Sequence, residues 1–180
     1  MAGSAAAADF IQWDALCQRL LKGELDTSFE VHAVETDMRD RQLRAMVDQI
    51  SKALIRAGRA NTKGYRATPG QGYYKRYLRL EGRGAWCVEF NSEYWARFGR
   101  SLIWLSKNVE SVSAHDVTAL EVHLGHSIRR LRDRILIPLL AGHARSESEA
   151  LEQMVVQATA VADLLASVPL EGAQHPGSAD

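Results

Sequence analysis

The chain is 180 residues long, 46% hydrophobic and 24% charged, which suits a single domain able to bury a core and excludes a disordered chain. No stretch approaches the roughly 18 uninterrupted apolar residues of a membrane span, and Met1–Ala8 lacks the basic and bulky apolar regions of a secretory signal, so a cytoplasmic protein is expected. The net charge of zero hides an asymmetry: Arg39–Arg100 carries 14 Lys/Arg against five Asp/Glu, leaving acidic ends around a basic middle. Such a middle can form an anion-binding face on a neutral protein, although solvated helix and strand faces account for it equally well.

Phe10, Trp13, Leu16, Leu20 and Leu21 recur at helical spacing before Gly23, which predicts an amphipathic helix over 8–22. Leu25–Val34 is acidic and reads as loop, or as a short strand at Phe29–Val34. Residues 1–35 are thus an N-terminal helix and acidic connector, and 36–168 one domain. A helix from Thr36 to Ala57 follows, with Leu43, Met46, Val47, Ile50 and Leu54 on one side, Arg39, Arg41, Arg44, Lys52 and Arg56 on the other, and Gly58 as its stop. Gly64, Pro69, Gly70 and Gly72 mark 61–72 as a loop.

Tyr73–Leu80 and Ala85–Phe90 then flank Glu81-Gly-Arg-Gly84, the spacing of a β-hairpin. Strand alternation puts Tyr73, Lys75, Tyr77 and Arg79 on one face and Tyr74, Arg76, Leu78 and Leu80 on the other. In the second strand Trp86, Val88 and Phe90 oppose Ala85, Cys87 and Glu89. Ser92 is read as the cap of a short helix stopped by Gly99, and Ser101–Leu105 as a third strand. Ala114–Arg132 reads as one helix and Ile135–Leu139 as an apolar run broken by Pro138. Ser146-Glu-Ser-Glu149 is a capping box for a C-terminal helix running to about Ser167, and 169–180 is a disordered tail.

The fold class predicted is α+β: a small, mostly antiparallel sheet of three to four strands packed by helices, with a C-terminal helix. The strings Gly72-Tyr-Tyr-Lys-Arg-Tyr-Leu78, Ala85-Trp-Cys-Val-Glu-Phe90, Tyr94-Trp95 and Leu102-Ile-Trp-Leu105 resemble the C-terminal region of long prokaryotic proteins of the PD-(D/E)XK nuclease family, found near restriction and phage-defence genes. The resemblance spans about residues 37–166 in element order. Cys87 or Val88 stands where the family pattern has glycine, and Ser101 where it has proline. With only about 35 residues before the first matching helix, the resemblance implies an accessory domain without the nuclease core.

The chemistry-bearing residues of the sequence agree with that implication. A nuclease of this class needs a carboxylate on one strand and a Glu/Asp/Gln-x-Lys on the next to hold a metal and support the attacking water. Glu81 and Glu89 are the weak candidates, but Glu89-Phe-Asn91 lacks the lysine, and Glu89 is expected on the solvent face of its strand. Mg²⁺ would matter only if that reading held; otherwise no cofactor is called for. His115, Asp116, Glu121, His123 and His126 cluster along one helix without HExxH, and a surface or interface helix explains them. Cys17 and Cys87 form no CxxC and read as free thiols, Cys87 as a packed one.

The tryptophans Trp86, Trp95 and Trp104 point inward by periodicity. The alternating tyrosines and cations of Tyr73–Arg79 are the pattern on which single-stranded nucleic acid stacks its bases and pairs its phosphates. Tyr73, Lys75, Arg76, Tyr77 and Arg79, with Arg41 and Arg44 from the preceding helix, are the candidate nucleic-acid-binding residues of a non-catalytic module linked to prokaryotic defence or DNA processing. Tyr and Arg serve protein contacts equally well, so a protein-interaction or homodimerisation module stays open, as does a degenerate metal-dependent nuclease.

Overall fold

A computed structural model of the chain describes residues 32–70, 72–99, 101–142 and 144–169. The helix expected over 8–22, Cys17 and, but for residue 169, the tail expected over 169–180 lie outside them. Helix α1, His32–Arg56, begins earlier than expected and takes in residues 32–34, where a strand was one option. Its Leu43, Met46, Val47, Ile50 and Leu54 recur every three or four residues and are all buried.

Among the described residues seven antiparallel strands, not three or four, form one sheet in the order β1-β3-β4-β5-β7-β6, with β2 beside β1 on β3. The extra strands are short. β1 (Ala60–Asn61) and β2 (Ala67–Gly70), within the segment read as loop, pair with successive halves of β3 (Tyr73–Leu80) and act as one interrupted edge strand. Pro69 is tolerated there because an edge strand leaves its outer side unpaired. β3 and β4 (Gly84–Asn91) form the expected hairpin, with Leu80 opposite Gly84. Its connection is the three residues Glu81–Arg83, and Gly82 takes φ 67°, a conformation open to glycine at no steric cost.

Helix α2, Ser92–Phe98, is capped by Asn91 rather than Ser92: the Asn91 carboxamide oxygen accepts from the backbone N–H of Glu93 (2.9 Å) and Tyr94 (3.4 Å), and Gly99 ends the helix at φ 61°. β5 (Ile103–Asn108) crosses the sheet beside β4. Helix α3, Ala114–Leu124, stops well short of Arg132; the arginine-rich stretch after it supplies β6, Arg129–Arg130. The apolar run becomes β7, Arg134–Leu139, paired with β5. β6 pairs only with Ile135 and Leu136 of β7, so Pro138 falls where no outer neighbour needs its missing N–H. The C-terminal helix α4, Glu147–Ser167, starts where expected: the Ser146 hydroxyl accepts from the Glu149 N–H (3.1 Å), and the Glu149 carboxylate accepts from the Arg145 N–H (2.8 Å).

α1 and α4 pack on one face of the sheet. Tyr74, Leu78, Leu80, Trp86, Val88, Phe90, Ile103, Leu105, Ile135, Ile137 and Leu139 bury that face against the apolar sides of the helices. Burial of these side chains, at ~1.5–3 kcal/mol for each large one, is the main drive to the fold. Among the described residues no helix is long and apolar enough to cross a membrane.

Candidate functional site

The opposite face of the sheet is polar, and its order follows from the register. One lateral row runs Lys75–Glu89–Trp104–Pro138 and the next Tyr77–Cys87–Ser106–Leu136. At the centre is Glu89, fully buried and not solvent-facing as expected. Lys75 Nζ stands 3.1 Å from Glu89 Oε2, and Arg134 Nη2 3.2 Å from Glu89 Oε1. The Ser106 hydroxyl donates to Glu89 Oε1 and accepts from Arg134 Nη2 at 2.8 Å. Tyr94 and Phe98 of α2 roof this end edge-on against the Trp104 ring, with centroids 6.1 and 5.9 Å away.

A lone carboxylate in such a place would be too costly to keep charged; two cations and a hydroxyl make it tolerable. The Lys75 contact is an ion pair that does not complete a hydrogen bond, so Glu89 Oε2 is left without a donor, as Trp104 Nε1 and Arg134 Nε are left without acceptors. Burial, with help from the Glu89 charge, pushes the Cys87 thiol up to about 11. Tyr77 and Tyr94 are raised as well, in both cases first by burial. Cys87 is therefore a packed, protonated thiol at neutral pH and a poor nucleophile.

Beyond this buried centre the face opens. Tyr73 and Tyr77 are half-buried, Lys75 is largely buried with its side chain 17% exposed, and Arg79 is exposed. Lys75 Nζ lies 5.5 Å from the centre of the Tyr73 ring, and the Arg79 guanidinium 5.7 Å from that of Tyr65, whose ring is 6.3 Å from Tyr77. The result is a short ladder of rings and cations, with Tyr65 the member that sequence reasoning missed. Its signal was weak, a lone tyrosine in a glycine-rich segment.

The remaining candidates are placed elsewhere. Arg76 faces the helix layer, 3.7 Å from Asp48 of α1, and Tyr74 donates to the same carboxylate at 2.9 Å. Arg44 donates to the Gly70 carbonyl (3.3 Å), pairs with Asp40 (3.5 Å) and lies over Tyr74. Arg41, exposed, rides on the same helix. The fold thus separates Arg41, Arg44 and Arg76 from Tyr73, Lys75, Tyr77 and Arg79 by the thickness of the sheet.

Glu81 and Glu89 do not converge either. Glu81 lies in the hairpin turn, and Glu89 is five residues beyond Gly84 along β4, on the order of 16 Å away. Lys75 and Arg134 already occupy the space a cation would need at Glu89. On α3, Asp116 is buried in an ion pair with Arg83 (2.7 Å), Glu121 pairs with Arg130 (2.5 Å), and His123 Nδ1 is 2.9 Å from the Ala119 carbonyl. Among the described residues no three His, Cys, Asp or Glu side chains come together as a metal site.

Comparison with protein-family models, with curated proteins and with solved structures finds no match for this chain.

Proposed function

We propose that this domain is a non-catalytic nucleic-acid-binding module, and that a single strand lies along the face carrying Tyr65, Tyr73, Lys75, Tyr77 and Arg79. The observation that carries the reading is the ladder itself: rings and cations at 5.5–6.3 Å on the sheet face opposite α1 and α4. Bases stack on such rings at about 1–3 kcal/mol each, and phosphates pair with the cations between them. A role beside a nuclease or methyltransferase in a prokaryotic defence system belongs to the same proposal and rests on the sequence resemblance alone.

Fluorescence anisotropy with labelled single- and double-stranded oligonucleotides, at low and moderate salt, is the test. Single strands should bind more tightly, and binding should weaken as salt rises because phosphate contacts release counterions. Tyr77→Ala and Arg79→Ala should each weaken binding about tenfold. Arg76→Ala, on the other side of the sheet, should change it little. Absence of binding at low salt would overturn the proposal and turn the same Tyr/Arg face toward a protein partner.

A further inference from the structure

We propose that the cavity at the corner of β3, β4 and α2 is a subsite for one unstacked guanine base. This rests on the nucleic-acid reading above and deepens it. The cavity holds about 270 Å³, just below the ~300–1,000 Å³ of pockets for drug-sized ligands, and so has room for one fused ring system.

Its walls are built rather than incidental. Tyr73 and Tyr94 both line it. The Tyr73 ring takes the space a side chain at residue 70 would need: a Cβ on Gly70 would fall 2.1 Å from the ring. The strand tip is tied to α2 by the backbone N–H of Ser92 and its hydroxyl, which both donate to the Gly72 carbonyl at 3.0 Å. An unstacked base is commonly held between or against such aromatic side chains and read along its Watson–Crick edge.

The polar lining selects among bases. Among the described residues it contains one cation, Lys75, and one carboxylate, Glu93. The Lys75 ammonium has three N–H donors and pairs with one carboxylate, that of Glu89 at 3.1 Å, so donors remain for a ligand. An ionised Glu93 is acceptor-only. Guanine is the base with two adjacent Watson–Crick donors, N1–H and the N2 amino group, to fill both carboxylate oxygens, while its O6 remains as acceptor for an ammonium. Adenine, cytosine and thymine each lack that pair of donors.

The test is a set of labelled oligothymidines with one central position changed to guanine, inosine, adenine or cytosine. The guanine oligomer should bind about tenfold more tightly than plain oligothymidine. Inosine, which lacks the N2 amino group, should lose most of that gain, and Glu93→Gln should abolish the preference for guanine. Equal affinity for all the oligomers, with salt-sensitive binding intact, would overturn the guanine subsite and leave the binding face standing. If no oligomer binds, titration with guanosine monophosphate decides the subsite alone: no heat of binding overturns it together with the nucleic-acid reading, whereas binding tighter than that of adenosine monophosphate sustains the pocket.

Discussion

Glu89 is the residue on which the polar face depends. Its carboxylate is shared by Lys75 and Arg134, themselves largely buried with side chains 17% and 16% exposed. Removing one member of a buried ion pair leaves the other charge without compensation, at about 3–5 kcal/mol. Glu89→Ala should therefore lower the unfolding free energy by about that amount in urea denaturation. Glu89→Gln, which keeps an acceptor for Ser106 and Arg134, should cost less. Equal losses for the two variants would mean that the charge, and not the packing or the acceptor that glutamine retains, is what Glu89 supplies. The residue was visible in the sequence as a carboxylate between Val88 and Phe90, but its partners were not. Arg134 is 45 positions later, and only the β4–β5–β7 pairing brings it near.

At the scale of elements, the hairpin connection decides the most. A four-residue turn over Glu81–Gly84 would pair Leu80 with Ala85 and set Lys75 opposite Phe90. The connection actually formed is one residue shorter, and it sets Lys75 opposite Glu89. A one-residue change of register moves every cross-strand partner, which is why the ion pair was not legible from the spacing alone. The same turn anchors other elements through Arg83. Its guanidinium is buried, paired with Asp116 at the start of α3, and it donates to the Val168 carbonyl at the end of α4. Lys107, buried beside the Trp86 ring, donates to the Arg83 carbonyl, and burial lowers its pKa. Arg83→Ala should cost about 3 kcal/mol, because it leaves the Asp116 carboxylate buried and alone. Arg83→Lys should recover only part of this, since an ammonium lacks the fork that spans both acceptors. Thermal melts of the two variants check the prediction, and full rescue by lysine would contradict it.

Over the whole molecule, the neutral total conceals a division that the fold partly cancels. The basic middle builds α1, β1–β4 and α2, and the acidic C-terminal helix α4 packs beside α1, with Arg59 and Asp163 paired at 2.5 Å. The charge asymmetry thus serves packing as well as any ligand. Stability against alkali is another whole-molecule property. Cys87 is held up to about 11 from an ordinary 9.0, and Tyr74, Tyr77 and Tyr94 are raised too, all first by burial. The folded chain therefore keeps protons that the unfolded chain releases sooner. Stability should be intact below pH 9 and fall as pH rises toward 11, by on the order of 2–3 kcal/mol from Cys87 alone. Urea midpoints across that range should show the fall, and Cys87→Ala should flatten it. An unchanged slope in the variant would shift the cause to the tyrosines.

Residues 36–168 carried enough local pattern to name the α+β class, the β3–β4 hairpin, the two faces of β3 and the capped helix α4. Each of these rests on periodicity, turn glycines or capping side chains within a few positions of one another. Tertiary structure decided the rest. β1, β2 and β6 are two to four residues long, and segments so short carry no period; they become strands only because β3 and β7 offer them an edge. It also placed Arg41, Arg44 and Arg76 on the helix-covered side of the sheet, and buried Glu89 between two cations. Those outcomes follow from pairing between distant strands and from which face the helices cover, and neither is encoded within any one stretch of chain.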